Sequence, residues 1–211
     1  MTDLAHSTHE TAGVQDDLDR AVVDAAVEIV DDLGVAGLTN RRLADRAGTT
    51  TMTIYSRFGS KDGVARALFN RGFELLGARL DAHAPTSDNP EMLVDFCSTY
   101  RDFGLERPGL YSIMFERAMP LGAGFTSGPG SRVFGALCDR VATVLGLDIT
   151  DARVPTETFG LWALCHGLVN LELTGTKVME NSATGALFRL AIATHTAGLT
   201  ARRLSESENR P

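Results

Sequence analysis

The chain has 211 residues, 44% of them hydrophobic, and a formal net charge of −7 at neutral pH, with a mean hydropathy of −0.02. These are the values of a soluble globular protein with room for one small and one medium core, or one large helical domain. Its three cysteines, Cys97, Cys138 and Cys165, lack metal-ligand or C-x-x-C spacing, which fits a reducing cytoplasm and small apolar buried residues.

Residues 1–16 contain no apolar core and carry Asp3, Glu10 and Asp16, so they do not read as a signal peptide. A disordered polar tail is expected there. It has neither Arg nor Lys and so lacks what an arm reaching into a minor groove needs. A first helix is predicted over 17–33, where Val22, Ala26, Ile29 and Leu33 recur at helical spacing before Gly34. Asp31 and Asp32 lie at the wrong end of that helix for its dipole and are expected to pair with arginines of the helices that follow.

The stretch LTNRRLADRAGTTTMTIYSRFGSK, residues 38–61, reads as helix, tight turn, helix and the start of a third helix. Thr39 and Thr50 stand at N-cap positions, and Gly48 supplies the positive-φ residue between the helices. On the second helix Ile54 and Phe58 point to the core, so Met52, Thr53, Tyr55 and Ser56 point outward. Such a face is poorly suited to solvent and well suited to a major groove, where methyl groups meet thymine methyls and hydroxyls reach bases or phosphates. Residues 39–61 hold Arg41, Arg42, Arg46, Arg57 and Lys61 against Asp45 alone. That local reversal of the chain's acidic balance is what phosphate contact requires.

Leu38, Thr39, Arg42, Leu43, Ala44, Ala47 and Gly48, followed by Thr53, Ile54, Tyr55, Phe58, Ser60 and Lys61, resemble the DNA-binding domain of the TetR family of bacterial transcriptional repressors. The resemblance spans residues 17–80. Arg57 departs from it, standing where the family more often has His, and adds a permanent positive charge. The resemblance implies an all-α fold, in which an N-terminal three-helix helix-turn-helix domain is linked by a fourth helix to a helical ligand-binding and dimerisation domain. The implied groove residues are Thr51, Met52, Thr53 and Tyr55, with Asn40, Arg41, Thr50, Arg57 and Lys61 fixing register.

Ser60 caps a fourth helix that runs to about Ala82, with Asp62 in its first turn. The DNA-binding domain with its linking helix is therefore expected over 17–82. The turn-rich HAPTSDNP, residues 83–90, marks the boundary. A second domain is expected over 90–204, and a disordered tail over 205–211. It opens with a helix over 91–106 carrying Leu93, Phe96, Tyr100 and Phe103 on one face, then a short helix with Tyr111, Met114, Phe115 and Met119 after Pro108 and Gly109. Residues 120–130 read as a flexible loop, and their glycines have no GK[ST] ending, so no phosphate-binding loop is expected. A helix over 131–145 follows, with Val133, Leu137, Val141 and Val144 on its core stripe and Gly146 ending it.

The stretch FGLWALCHGLVNLEL, residues 159–173, is apolar around most of a helix, with Glu172 its only charge. It is too short and too polar to span a membrane. One face is expected in its own core and another against a second copy of the chain. With the last helix, predicted over 183–203, it is expected to form a four-helix dimer interface through Leu161, Leu164, Leu168, Leu171, Leu187, Leu190, Thr194 and Ala197. Trp162, His166 and Gly167, together with RPGLYSIMF at 107–115, resemble a TetR subgroup with a Trp-His-Gly signature.

Phe96, Tyr100, Phe103, Tyr111, Met114, Phe115, Trp162 and His166 have the character of an apolar ligand pocket with few polar fixers. The expectation is a cytoplasmic, bacterial, homodimeric repressor that binds a palindromic double-stranded operator and is released by a small apolar or amphipathic effector. No cofactor, metal site or membrane partner is expected. Two alternatives compete with this reading: a ligand-independent architectural DNA-binding protein, and an enzyme with an unrecognised site in the C-terminal domain. The enzyme reading finds no HExxH, GxSxG, Walker loop or paired-carboxylate motif to stand on.

Overall fold

The computed structural model describes residues 4–81, 89–115, 127–175 and 181–208, with side chains described between 16 and 201 apart from Asn181 and Ser182. The described residues form nine helices and no strand. These are α1 (Leu4–Leu33), α2 (Asn40–Arg46), α3 (Thr51–Phe58), α4 (Lys61–Asp81), α5 (Glu91–Glu106), α6 (Pro108–Phe115), α7 (Pro129–Leu145), α8 (Arg153–Leu173) and α9 (Asn181–Glu208), with a 3-10 turn at Val35–Gly37. The all-α expectation holds. α1 is helical from Leu4 and α9 continues to Glu208; the remaining residues of the two expected tails lie outside the described residues. The loop expected at 120–130 and the break at 83–90 lie largely outside the described residues.

The chain divides into two compact units, residues 1–72 with 107–119, and residues 73–106 with 120–211. This division differs from the boundary expected at 83–90. It falls inside α4, and it assigns α6 to the first unit rather than to the helices on either side of it in sequence.

In the first unit, Val22, Ala26, Ile29 and Val30 of α1 are buried, as are Leu43, Ile54, Val64 and Leu68 of the three helices that follow. Each of the Val, Leu and Ile side chains stabilises by about 1.5–3 kcal/mol relative to exposure. Leu33, expected on the core stripe, is 51% exposed, because the buried face turns through Val30 one residue past Ile29. α6 brings Leu110, Tyr111, Ile113 and Met114 into burial. It can approach α1 closely because position 109 is glycine: a Cβ there would lie 2.6 Å from the Val30 carbonyl oxygen. Arg107 seals the same junction with an ion pair to Asp31 at 3.1 Å.

The second unit packs α5, α7, α8 and α9 around Leu93, Phe96, Val141, Leu161, Val169, Phe188 and Ile192. Glu172, the lone charge of the apolar stretch, receives a forked pair of hydrogen bonds from Arg101, at 2.8 Å to Nε and 2.6 Å to Nη2. The same guanidinium lies 5.7 Å from the Phe188 ring centroid, so one residue ties α5 to both α8 and α9. Cys97 and Cys165, far apart in sequence, are buried side by side, and this contact with burial pushes the Cys165 thiol well above its ordinary value. A thiol so held stays protonated and unreactive.

Candidate nucleic-acid interface

Two hydroxyl caps build the site. Thr39 Oγ1 accepts from the Arg42 backbone N–H at 3.3 Å, and Thr50 Oγ1 accepts from the Thr53 N–H at 3.1 Å. Each satisfies one of the N–H groups that a helix start leaves without an internal partner. Gly48, at φ 62°, makes the turn between them. Ser60 Oγ accepts from the Gly63 N–H at 3.4 Å and opens α4.

On α3 Ile54 is buried at 2% exposure, whereas Met52 is 77% and Tyr55 53% exposed. Thr51 and Ser56 are exposed beside them, and Thr53 is half-buried, its hydroxyl 2.9 Å from that of Thr50. The eight-residue helix thus presents thioether, phenol and hydroxyls together, a mixture matched to base edges and thymine methyls. Arg41 and Lys61 flank it exposed, and Asn40 is half-buried.

The five basic residues do not all face outward for phosphate. Arg46 is paired with Glu28 at 3.0 Å and Asp32 at 3.4 Å, which meets the expectation for Asp32; Asp31 goes instead to Arg107 of α6. Arg57, expected on the DNA backbone, is only a quarter exposed and pairs with Asp19 of α1 at 3.4 Å. Arg42 donates to the Gly37 carbonyl. Arg41 and Lys61 make no ion pair among the described residues. Sequence reading missed Asp19 and Glu28 because a helical pattern does not say which arginine a surface carboxylate will meet.

The eight residues expected around one ligand are divided between the units. Tyr111, Met114 and Phe115 lie on α6 in the first, the other five in the second. Phe96, Tyr100 and Phe103 are buried at 5% exposure or less. The buried Arg140 guanidinium covers the Phe96 ring at 4.4 Å, and desolvation pulls its pKa down against the opposing pull of Asp81 and Asp139. His166 stacks on Trp162 at 5.6 Å and is bonded at both ring nitrogens, Nδ1 to Tyr100 Oη at 3.2 Å and Nε2 to Asn170 Nδ2 at 2.9 Å. Each ring nitrogen therefore has one polar partner, and the tautomer sets which of the two is the donor. A groove of about 280 Å³ lies elsewhere in this unit, between α4 and α7, lined by Phe73, Gly77, Leu80, Val133, Glu74, Asp81 and Arg132 among others.

Of the expected interface residues, Leu161 is corrected: it is fully buried within the single chain and offers no surface. The inward stripe of α8 runs through Val154, Thr158, Leu161, Cys165 and Val169, so Leu161 shares the core face with Cys165 and Val169. Leu171, Leu187 and Leu190 are exposed, at 47%, 37% and 62%, and so is Phe159 at 58%. Thr194 and Ala197 are also exposed, and Leu164 and Leu168 are half-buried.

A short capped helix with an exposed reading face, following a glycine turn and leading through a long helix into a second all-helical unit, defines a DNA-binding helix-turn-helix regulator. The chain matches the model for bacterial regulatory proteins of the tetR family over residues 22–74 and that for the tetracyclin repressor-like C-terminal domain over 93–195. It is 29% identical over 185 residues to an uncharacterised HTH-type transcriptional regulator of Mycobacterium tuberculosis, covering 86% of this chain and 81% of that one. A protein of Rhodococcus sp. RHA1 shares the fold with a TM-score of 0.70 at 21% identity, over 86% of this chain and 94% of that chain. A TetR variant from Acinetobacter baumannii, solved in complex with minocycline, does so at 0.65 and 19%, over 86% and 96%. The protein belongs to the TetR family of transcriptional regulators. Among the described residues no helix is long and apolar enough to cross a membrane.

Proposed function

We propose that the protein is a homodimeric repressor that reads a near-palindromic operator and is released by a small amphipathic effector. The observation that carries the reading is the exposed α3 face, on which Met52 and Tyr55 stand in solvent with Thr51 and Ser56 beside them. Two copies related by a two-fold axis place these helices in successive major grooves, roughly 34 Å apart. Arg41 and Lys61, with the N-terminal N–H groups of α4, hold the phosphates. The exposed leucines of α8 and α9 supply the dimer contact.

The effector site is assigned to the groove between α4 and α7. A lining of apolar residues together with Glu74, Asp81 and Arg132 suits a molecule with an apolar body and polar groups. α4 begins in the reading unit and ends along this groove, so an occupant that favours one setting of α4 shifts the balance between DNA-binding states. In a titration of the purified protein against a random duplex pool, one palindrome is expected to be enriched, and Tyr55→Ala to abolish the enrichment. Equal retention of all sequences by both proteins would sink the operator reading.

A further inference from the structure

α1 carries a row of carboxylates directed at the arginines of the helix-turn-helix. Asp19 holds Arg57 at the end of the reading helix. Glu28 and Asp32, four residues apart and hence on one face of α1, together hold Arg46 at the end of α2. A carboxylate and a phosphate oxygen present the same chemistry to a guanidinium, an anionic acceptor for its N–H fork.

We propose that Asp19, Glu28 and Asp32 are specificity-determining residues that occupy Arg57 and Arg46 in competition with DNA phosphates, and so hold down sequence-independent binding. The inference rests on the helix-turn-helix being the DNA-binding surface. Phosphate contact gives affinity without sequence information. Withdrawing two of the five local cations therefore lowers binding to every duplex alike and leaves base contacts from Met52, Thr53 and Tyr55 to decide between sequences. The pairs suit this role because they are half-exposed, with side-chain exposures of 38% for Arg46, 61% for Glu28, 60% for Asp32, 25% for Arg57 and 42% for Asp19. Pairs at such positions are weak enough to open. The Arg46 pKa is raised chiefly by its hydrogen bond to Glu28, consistent with an arginine already in the field of an anion.

The test measures the affinity of the full chain for a labelled random-sequence duplex of about 30 base pairs, across a salt series. Each arginine released to phosphate steepens the slope of log K against log salt by about 0.9 per subunit. Asp19→Asn is therefore expected to steepen it by about 0.9 per subunit, and Asp19→Asn with Glu28→Gln and Asp32→Asn by about 1.8. Both variants are expected to bind random duplex more tightly than the wild type at low salt. Adding Arg57→Gln to Asp19→Asn is expected to restore the original slope, which no purely structural role for Asp19 would produce. Slopes unchanged in variants that keep the wild-type helical content would overturn the proposal while leaving DNA binding intact. Failure of the wild type and all variants to bind any duplex would remove the DNA-binding surface and the proposal together.

Discussion

At the residue scale, the site depends on hydroxyls whose first duty is structural. Thr50 lies on the expected DNA-contacting list, yet its oxygen is engaged by the Thr53 N–H and lies within hydrogen-bond distance of the Thr53 hydroxyl. Replacing a threonine cap by alanine costs about 1 kcal/mol, which in a domain of this size lowers Tm by about 2–4 °C. Thr50→Ala is expected to show that loss in a thermal melt, and Thr50→Asn, which keeps the cap, to recover most of it. Equal melting of both variants with the wild type would show that the cap contributes nothing. Arg57 teaches the same point for charge. Its place in the motif is legible in the sequence, but only the fold shows that α1 brings a carboxylate to meet it.

At the scale of elements, α6 is the helix whose place sequence order conceals. Eight residues long and preceded in the chain by α5, it packs with α1 and α4 through Gly109 against Val30 and through Met114, the side chain that a Cβ on Gly72 would strike. The junction partly desolvates the Asp31 carboxyl, whose side chain keeps 26% exposure. Burial raises its pKa, outweighing the opposing pull of Arg107, and Asp32 adds to the rise. A carboxyl that holds its proton more tightly folded than unfolded contributes stability below the unfolded value, about 3.9, and loses it as pH rises through the higher folded value. Ionisation of Asp31 is therefore expected to lower stability as pH rises toward neutrality, despite the Arg107 pair. Asp31→Asn is expected to melt at or above the wild-type temperature at pH 7 and to lose that advantage near pH 4. A variant that melts lower at pH 7 would mean that the Arg107 pair outweighs burial.

At the scale of the whole molecule, the proposed dimer is tested at the exposed apolar residues of the last two helices. Leu190 is 62%, Phe159 58% and Leu171 47% exposed, and the proposed dimer contact would cover them. Leu171→Asp with Leu190→Asp is expected to give a folded monomer by light scattering and to lose operator binding at concentrations where the wild type binds. Because both leucines lie outside the single-chain core, helical content should not change. An unaltered dimer would move the contact elsewhere.

The sequence by itself determined the helices and the reading face, because caps, glycine turns and apolar periodicity act between residues a few positions apart. Thr39, Gly48, Thr50 and Ile54 needed no distant neighbour to declare their roles. It also determined the family, whose motif lies in that same local stretch. Tertiary structure alone decided the rest: that Arg46 and Arg57 are held by α1, that α6 joins the first unit, that Leu161 turns inward, and that Cys97 meets Cys165. Each of these is a contact between residues more than a dozen positions apart or a choice between faces of a helix apolar on several sides. Periodicity shows that such a face must be buried, but the neighbour that buries it is set only when the helices pack.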